Sequence, residues 1–579
     1  MLNRRLSLIL MGATALVPPA LAATGEDAKF AAIAADWLDA WCRTQPVTAT
    51  QLGDHRFDAL VDDMSAKGRA GRVALWRGLL ARLAGIDRSR LSRDNQVDAS
   101  ILKSQLEFAV WDDQVLQSWA WDALVWSNLA GDALYLLVAR EFAPIGSRLK
   151  SAIARMKALP ALLEQMRASI VPARVPAIHA TTVAKQNSGV MDIVDSMIAP
   201  QAKALGAADQ AALKAAADDL RKAMATHQQW LDKVLVPQAK GEFRIGAKLF
   251  DQKLAFTLNS NLSRKDIRAR AEKAVTETRA QMFTVAQQAL VKAGKPTVGD
   301  QQQVIAAALA LASADRPARD AVVATAKAAL AEATDFVKKK QLITLPDAPV
   351  EVIIMPKFQQ GVAVAYCDPP GPLEKTLKTF YAVSPIPNGW TQAQTDSFLK
   401  EYSKRGIADI AVHEAMPGHY VQLWHSNRNP SVLRSVLWSG SFVEGWAVYA
   451  ENLMAVEGFH GDDPLYRLVQ LKVYLRSITN AIIDQAIHCD GMSQAQMMKL
   501  LTQTAFQEER EASGKWDRAR MSATQLSTYF VGRQEHDAAR ARAQMQPGFR
   551  LKAYHDKILS FGSPPGRLAA ALYFGDPIT

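Results

Sequence analysis

The sequence predicts a mainly helical fold with one small antiparallel β-hairpin ahead of a histidine-bearing helix. Apolar residues recur three and four positions apart in Ala- and Leu-rich segments such as "VALWRGLLARLAGI" and "DAVVATAKAALAEATDFVKKK", which is typical of amphipathic helices. One region departs from this pattern: in "APVEVIIMP" and "GVAVAYCDPP", β-branched residues roughly alternate with others. Hydrophobic residues make up 49% of the chain and charged residues 22%, a composition that argues against disorder.

The first 22 residues have the layout of a secretory signal peptide. Arg4 and Arg5 precede an apolar run that ends at Val17, and Ala20-Leu21-Ala22 forms an A-x-A cleavage site. The apolar run is too short to anchor the chain across a bilayer. We therefore expect a periplasmic or secreted chain that starts near Ala23 and keeps no membrane anchor. The alternative is a retained helix at the membrane surface.

The predicted hairpin separates an N-terminal helical region, residues 23–345, from a C-terminal region, residues 346–579. Its two strands are expected in 348–356 and 361–370, with "KFQQ" between them. Pro and Gly punctuate the helices on both sides, and the absence of a fixed-period repeat argues against a solenoid. We expect the two regions to form one continuous fold.

The chain is basic, with a formal net charge of +11 and a pI near 9.4. The positive charges are nevertheless spread along helices and mixed with Asp and Glu, and Lys338–Lys340 is the one tight run. The sequence therefore predicts no nucleic-acid partner. A basic exported protein instead favours anionic surroundings or acidic peptides.

The segment "AVHEAMPGHYVQ" contains the first candidate metal ligands, His413 and His419, and a candidate general base, Glu414. Zinc hydrolases with an H-E-x-x-H sequence place two histidines four positions apart on one helical face. Here the second histidine comes six positions after the first, and on a continuous helix it would lie on another face.

Pro417 and Gly418 offer a way around this objection, because proline disfavours helical geometry in the preceding residue and glycine tolerates unusual dihedrals. We predict that the helix is interrupted between Met416 and His419, so that His419 returns toward His413. The alternative is an ordinary helix end, where two histidines would interact favourably with the helix dipole.

A third candidate ligand follows in "SGSFVEGWAVYAENLMAVEG". Glu444 and Glu451 lie seven positions apart, on one face of the predicted helix. Zinc sites of the His-His-Glu type take their third ligand from a glutamate on a later helix, and Glu444 is the predicted one. Glu451 is a supporting partner or a substitute ligand. Alternatively, Glu444 closes a capping box that begins at Ser441.

The segments "HEAMPGHYVQ" and "EGWAVYAE" together resemble the bacterial family known as domain of unknown function 885, grouped with gluzincin-type zinc metallopeptidases. The resemblance extends to "IIDQAIHCDGMSQAQMMKLL", with Asp484 and His488, and to "QLSTYFVG", with Tyr529. It also includes "AYHDKILSFGSPP", with His555 and Asp556. The match spans nearly all of the mature chain and is strongest from Ile407 onward.

The resemblance implies a Zn²⁺ ion bound by His413, His419 and Glu444, with Glu414 as the general base. It also implies a large helical, metallopeptidase-like body with a groove between its halves, in which residues 346–579 form the metal-binding catalytic region. Three positions depart from the family pattern and put substrate preference in question: Phe530, Asn480 and Ala523-Thr524.

We therefore expect an exported zinc metallopeptidase that hydrolyses peptides, with Tyr529 and His488 stabilising the oxyanion. A buried core tyrosine, a helix-surface pair of Asp484 and His488, and a structural His555 are the alternatives for these residues. The alternative functions are a zinc amidase for a non-peptide substrate and a non-catalytic peptide-binding protein. No Gly-rich phosphate loop or G-x-S-x-G segment is present, which disfavours nucleotide hydrolysis and serine-esterase chemistry.

Overall fold

The computed structural model describes residues 25–355, 364–374 and 377–578, so the predicted signal peptide lies outside the described residues. Helices make up most of the described chain, which confirms the mainly helical fold class. None of the described helices has both the length and the apolar character needed to cross a membrane.

The described α-helices are numbered α1 to α26 in chain order. Helices α1 to α9 span Gly25–Thr44, Pro46–Leu52, Ala66–Ala84, Arg93–Trp111, Ser118–Trp121, Ala123–Val138, Ile145–Ser169, Ala177–Gln186 and Gly189–Ile193. Helices α10 to α15 span Ala207–Trp230, Val236–Gln238, Gly246–Leu258, Arg264–Lys292, Gln301–Ala314 and Val322–Lys340. Helices α16 to α21 span Gln392–Glu401, Lys404–Glu414, His419–Ser426, Val432–Val436, Gly440–Val456 and Pro464–Cys489. Helices α22 to α26 span Gln494–Lys499, Glu509–Met521, Ser527–Gln544, Leu551–Leu559 and Gly566–Phe574.

A small three-stranded sheet precedes α16, and its strands are β1 (Glu351–Ile354), β2 (Ala365–Asp368) and β3 (Phe380–Val383). The predicted direct pairing of the first two strands is wrong. Both pair with β3, which lies between them: β1 runs parallel to it and β2 antiparallel. The third strand, only four residues long, supplies hydrogen-bonding partners to both neighbours, so the result is a mixed sheet rather than a hairpin.

Strand β2 is held from the N-terminal region by Arg140, which follows α6. Its guanidinium donates hydrogen bonds to the carbonyl oxygens of Asp368 at 2.9 Å, Pro369 at 3.0 Å and Lys378 at 2.8 Å. It also forms an ion pair of 2.7 Å with the Asp368 carboxylate. One side chain thereby fixes the end of β2 and the approach to β3.

The apolar cores show how the two regions meet. One core consists of residues from α6 to α10 and their connections. A second surrounds the sheet and includes residues of α15, α17, α18, α20 and α25. A third joins α12, α13 and α14 of the N-terminal region to α21 and α24 of the C-terminal region. Because this third core spans the 345/346 boundary, the helices that follow the sheet pack directly on helices that precede it.

Candidate metal centre

The helix that carries His413 ends at Glu414, and the next helix begins at His419, which confirms the predicted interruption. The turn between them is compact, since the backbone N–H of Gly418 donates to the carbonyl of Val412 at 2.9 Å. A Cβ atom at Gly418 would lie 1.9 Å from the His413 carbonyl oxygen, so glycine is required for this close approach. The interruption therefore depends on the sequence of the turn itself.

Three potential ligand atoms converge beside this turn. The Nε2 atoms of His413 and His419 lie 3.6 and 3.5 Å from one carboxylate oxygen of Glu444, and the candidate donor atoms of all three residues are within 4.8 Å of one another. The two rings are perpendicular, with an interplanar angle of 88°. Ligand atoms of a tetrahedral zinc site with bonds of about 2.0–2.1 Å lie about 3.3 Å apart, so the observed spacing fits such an ion.

Glu444 reaches this position from within α20. The helix begins at Gly440 and is capped by Ser439, whose hydroxyl accepts the backbone N–H of Phe442. Glu444 lies beyond the first turn, so it does not close a capping box. Burial alone would raise the pKa of Glu444, but its contacts with His413 and His419 outweigh burial and lower the pKa. The carboxylate is thus held ionised, as a metal ligand must be.

Glu451 lies on the other side of His413, and its carboxylate accepts the Nδ1–H at 2.6 Å. This contact leaves Nε2 of His413 facing Glu444 and orients the ring, as carboxylate partners of metal-binding histidines do. Burial would lower the pKa of His413, but the Glu444 and Glu451 carboxylates raise it well above its usual range. A metal at this position would therefore displace a proton from His413.

Glu414 contributes no atom to the convergent set. Its Oε2 accepts the backbone N–H of Cys367 on β2 at 2.8 Å, which turns the carboxylate toward the sheet. Burial raises the pKa of Glu414, although the nearby histidines lower it in part. A carboxyl group with a raised pKa beside a potential ligand set is suited to accepting and returning a proton.

Tyr529 stands on α24, which crosses α20 with backbone against backbone. A Cβ atom at Gly445 would lie 2.5 Å from Cα of Gly532, and one at Gly532 would lie 1.8 Å from the carbonyl oxygen of Ser441. This crossing places the turn with Tyr529 beside the turn with Glu444. Burial raises the pKa of Tyr529, and the Glu444 carboxylate raises it further, so the phenol is a proton donor at neutral pH.

We expect Gly532→Ala to lower the free energy of unfolding by about 1–3 kcal/mol, because the added methyl group would force the two helices apart. The same shift would displace Tyr529 from its place beside Glu444. Thermal or urea unfolding measures the change in stability. Gly514→Ala on α23 is the matched control, since its Cβ meets nothing within 4 Å. It should be neutral or stabilise by about 0.5–1 kcal/mol. Equal changes in the free energy of unfolding for the two variants would contradict a close backbone contact between α20 and α24.

Among the described residues, no hydrogen bond or ring contact connects Asp484 or His488 to the three candidate ligands. The Asp484 carboxylate accepts the backbone N–H of Thr524 at 2.9 Å and of Ser527 at 3.0 Å, and thereby caps the start of α24. Nε2–H of His488 donates to the carbonyl oxygens of Ala519 and Ser522 at the end of α23. Both residues fix the connection between α23 and α24, the helix that carries Tyr529. Their contacts are therefore those of residues that position Tyr529.

His555 is fully buried and has structural partners on both ring nitrogens. Nδ1 contacts the carbonyl oxygen of Leu342 at 2.8 Å, and Nε2 contacts the Tyr449 hydroxyl at 2.7 Å. Burial lowers the pKa of His555 to about 3, which keeps the ring neutral. Its neighbour Asp556 accepts the backbone N–H and the hydroxyl of Thr344, each at 2.7 Å. Through these hydrogen bonds, His555 and Asp556 connect α25 to the segment that precedes the sheet.

Two residues near the centre escape motif-based reasoning. Asp409 lies four positions before His413 on α17 and is 1% exposed. Burial raises its pKa well above the usual range, and the nearby Glu451 carboxylate adds to this effect. The second residue, Arg518, donates from Nη2 to the Tyr529 hydroxyl at 2.9 Å. The helical spacing from His413 could have indicated Asp409, whereas Arg518 lies among other charges in "EREASGKWDRARM" without a distinguishing pattern.

Comparisons with other proteins agree with this fold. A protein of unknown function from Shewanella oneidensis, described as a candidate lipoprotein, is 30% identical with a TM-score of 0.80, over 94% of this chain and 99% of its own. A candidate lipoprotein from Colwellia psychrerythraea is 17% identical with a TM-score of 0.76, over 94% and 98%. Curated protein sequences gave no match. The profile of the family described as "Bacterial protein of unknown function (DUF885)" matches residues 46–571, and the chain therefore belongs to this family.

Proposed function

We propose that the protein is a zinc-dependent hydrolase that cleaves peptide bonds of peptides. The observation that carries the proposal is the convergence of His413, His419 and Glu444, with Glu414 beside them but outside the set. A purely structural metal site needs no general base, whereas a hydrolytic site needs one, and Glu414 is a carboxylate that neither ligates nor orients a histidine. Two histidines and one carboxylate, with a position left for water, are a donor set that suits zinc.

In this proposal His413, His419 and Glu444 would hold the ion, and the bound ion would supply Lewis acidity toward a water molecule and the scissile carbonyl. Glu414 accepts the proton of the attacking water and passes it to the leaving amine. Tyr529 donates its hydroxyl proton as a hydrogen bond to the developing oxyanion, as preorganised donors do. Glu451 keeps the His413 ring in the required tautomer through its 2.6 Å contact with Nδ1.

The edge of β2 supports a peptide as the substrate. Among the described residues β2 pairs only with β3, and the Cys367 N–H points away from β3 toward Glu414. Because Glu414 directly follows His413 in sequence, this contact places the outward edge of β2 beside the candidate metal centre. An extended peptide can bind such an edge through main-chain hydrogen bonds.

Zinc content and peptide hydrolysis, measured on the same preparation, test the proposal. We expect a chelator to remove the zinc ion and thereby to stop hydrolysis of a mixed peptide library. Adding zinc back should restore both the bound ion and the hydrolysis. Hydrolysis restricted to small non-peptide amides would favour the amidase alternative. Peptide binding without any turnover by the zinc-loaded protein would favour a binding protein.

We further propose that the chain is exported and cleaved near Ala22/Ala23, as the signal layout of residues 1–22 indicates. The similarity to proteins described as candidate lipoproteins supports export. N-terminal sequencing of the exported protein checks the cleavage position, and an intact Met1 would contradict it.

A further inference from the structure

A group of basic side chains lies close together, and one of them contacts Tyr529. Lys515 and Arg518 are three positions apart on α23 and therefore share one helical face. Arg476 comes from α21. We refer to Arg476, Lys515, Arg518 and Tyr529 as the basic subsite.

The carboxylates nearest to this group interact with Arg476 and Lys515. Glu511 accepts the Tyr402 hydroxyl at 2.9 Å, while it lies 3.4 Å from Arg476 and 3.9 Å from Lys515. The next acid, Glu401, is already paired with Lys472 at 2.7 Å. Burial would lower the pKa of Arg476, but Glu511 and Glu401 together raise it, so both carboxylates are engaged by Arg476, Lys472 and Lys515.

Among the described residues no carboxylate forms a hydrogen bond or ion pair with Arg518, although the more distant Glu444 carboxylate helps to raise its pKa. Its Nη2 donates to two neutral oxygens, those of Gln525 and Tyr529, each at 2.9 Å. The side chain is exposed, which leaves its remaining N–H groups open to solvent. The Lys515 side chain is only 6% exposed, and burial lowers its pKa to about 7. The burial of Lys515, together with the lack of a carboxylate paired with Arg518 among the described residues, favours a bound anion at this position.

The position of the basic subsite indicates which anion it receives. Arg518 is one hydrogen bond away from Tyr529, which stands beside Glu444, so a single tyrosine side chain separates the guanidinium from the candidate metal centre. An extended peptide advances about 3.3–3.6 Å per residue. A carboxylate about two residues beyond the scissile bond would therefore reach Arg518. Guanidinium groups bind carboxylates through two parallel hydrogen bonds.

We propose that the basic subsite binds the C-terminal carboxylate of the substrate, so that the enzyme releases short C-terminal fragments. This inference rests on the proposed peptide hydrolysis and names its substrate class, peptides with a free C-terminus. An acidic side chain near the end of the peptide offers the same chemistry, and the experiment separates the two sources.

The test uses matched peptides that end in a free carboxylate or in an amide, and it compares wild type with Arg518→Gln. We expect wild type to prefer the free acid by roughly tenfold to a hundredfold, mainly in KM, the scale of charged hydrogen bonds. Arg518→Gln should remove this preference, and Arg518→Lys should restore part of it. Arg542→Gln is the matched control, because its ion pair with Asp576 lies on the surface of α24.

A binding measurement separates this inference from the proposed function. Calorimetry on the Glu414→Gln protein should show tighter binding of the free acid than of the amide. That result would support the subsite even if neither peptide were hydrolysed by wild type. Equal binding and equal cleavage of acid and amide would overturn the inference while leaving the peptidase intact. A third peptide ends in an amide and has Asp or Glu as its penultimate residue. If this peptide bound as tightly as the free acid, the basic subsite would recognise an acidic side chain and not the C-terminal carboxylate.

Discussion

Replacing Glu414 with glutamine is expected to abolish most peptide hydrolysis while the protein keeps its zinc. Glutamine retains the size of the side chain and an oxygen that can accept the Cys367 N–H, but it cannot take up a proton from water. The loss of a general base lowers turnover by roughly a hundredfold or more. Single-turnover rates, together with zinc analysis of the same sample, give both quantities.

Glu272→Gln provides the control for this change, since Glu272 is an exposed glutamate of α13 paired with Arg268. It should leave turnover and zinc content as they are in wild type. Unchanged turnover in Glu414→Gln would contradict the peptidase mechanism and favour the binding-protein alternative. Loss of zinc in Glu414→Gln would instead mean that this residue is a ligand.

The second large effect is expected for the metal itself. Glu444→Ala removes the carboxylate oxygen that lies 3.5–3.6 Å from both histidine Nε2 atoms, so the protein should lose its zinc and consequently its activity. Glu451→Gln keeps an acceptor for Nδ1–H of His413 and should retain the ion, with an affinity lower by roughly 10–100-fold. Zinc titration against a competing chelator measures both affinities.

The comparison of these two variants decides the third ligand. Both glutamates belong to α20 and both lie next to His413, so general damage to the helix would affect them alike. Full zinc occupancy in Glu444→Ala, with loss in Glu451→Gln, would show that the ligand is Glu451. Circular dichroism of each variant checks that α20 remains folded.

The sequence could predict the features that depend on short-range chemistry. Pro417 and Gly418 act within the turn that they form, and the spacing of Glu444 and Glu451 along one helix is fixed by helical geometry. The mainly helical class follows in the same way from local periodicity. Convergence of the three ligand candidates required one further step, the resemblance of the combined motifs to a known family.

Features that depend on distant partners could not be predicted in this way. The strand β3 lies between β1 and β2 although it follows both in sequence, and its four residues carry too little alternation to indicate that position. His488 shares a motif with Asp484, but its role depends on where the carbonyl groups of Ala519 and Ser522 lie. Arg518 belongs to a helix rich in charges, and only its contact with Tyr529 distinguishes it.

The anchoring of β2 by Arg140 has a consequence for any attempt to isolate a catalytic fragment. A polypeptide starting at residue 346 would retain the ligand candidates, Glu414 and Tyr529, yet it would lack the cation that fixes the strand facing Glu414. It would also expose the faces of α21 and α24 that α12, α13 and α14 cover in the intact chain. The smallest fragment that keeps β2 beside Glu414 therefore includes the N-terminal helices as well. Substitution of Arg140, far from the histidines in sequence, is expected to shift the strand that contacts Glu414.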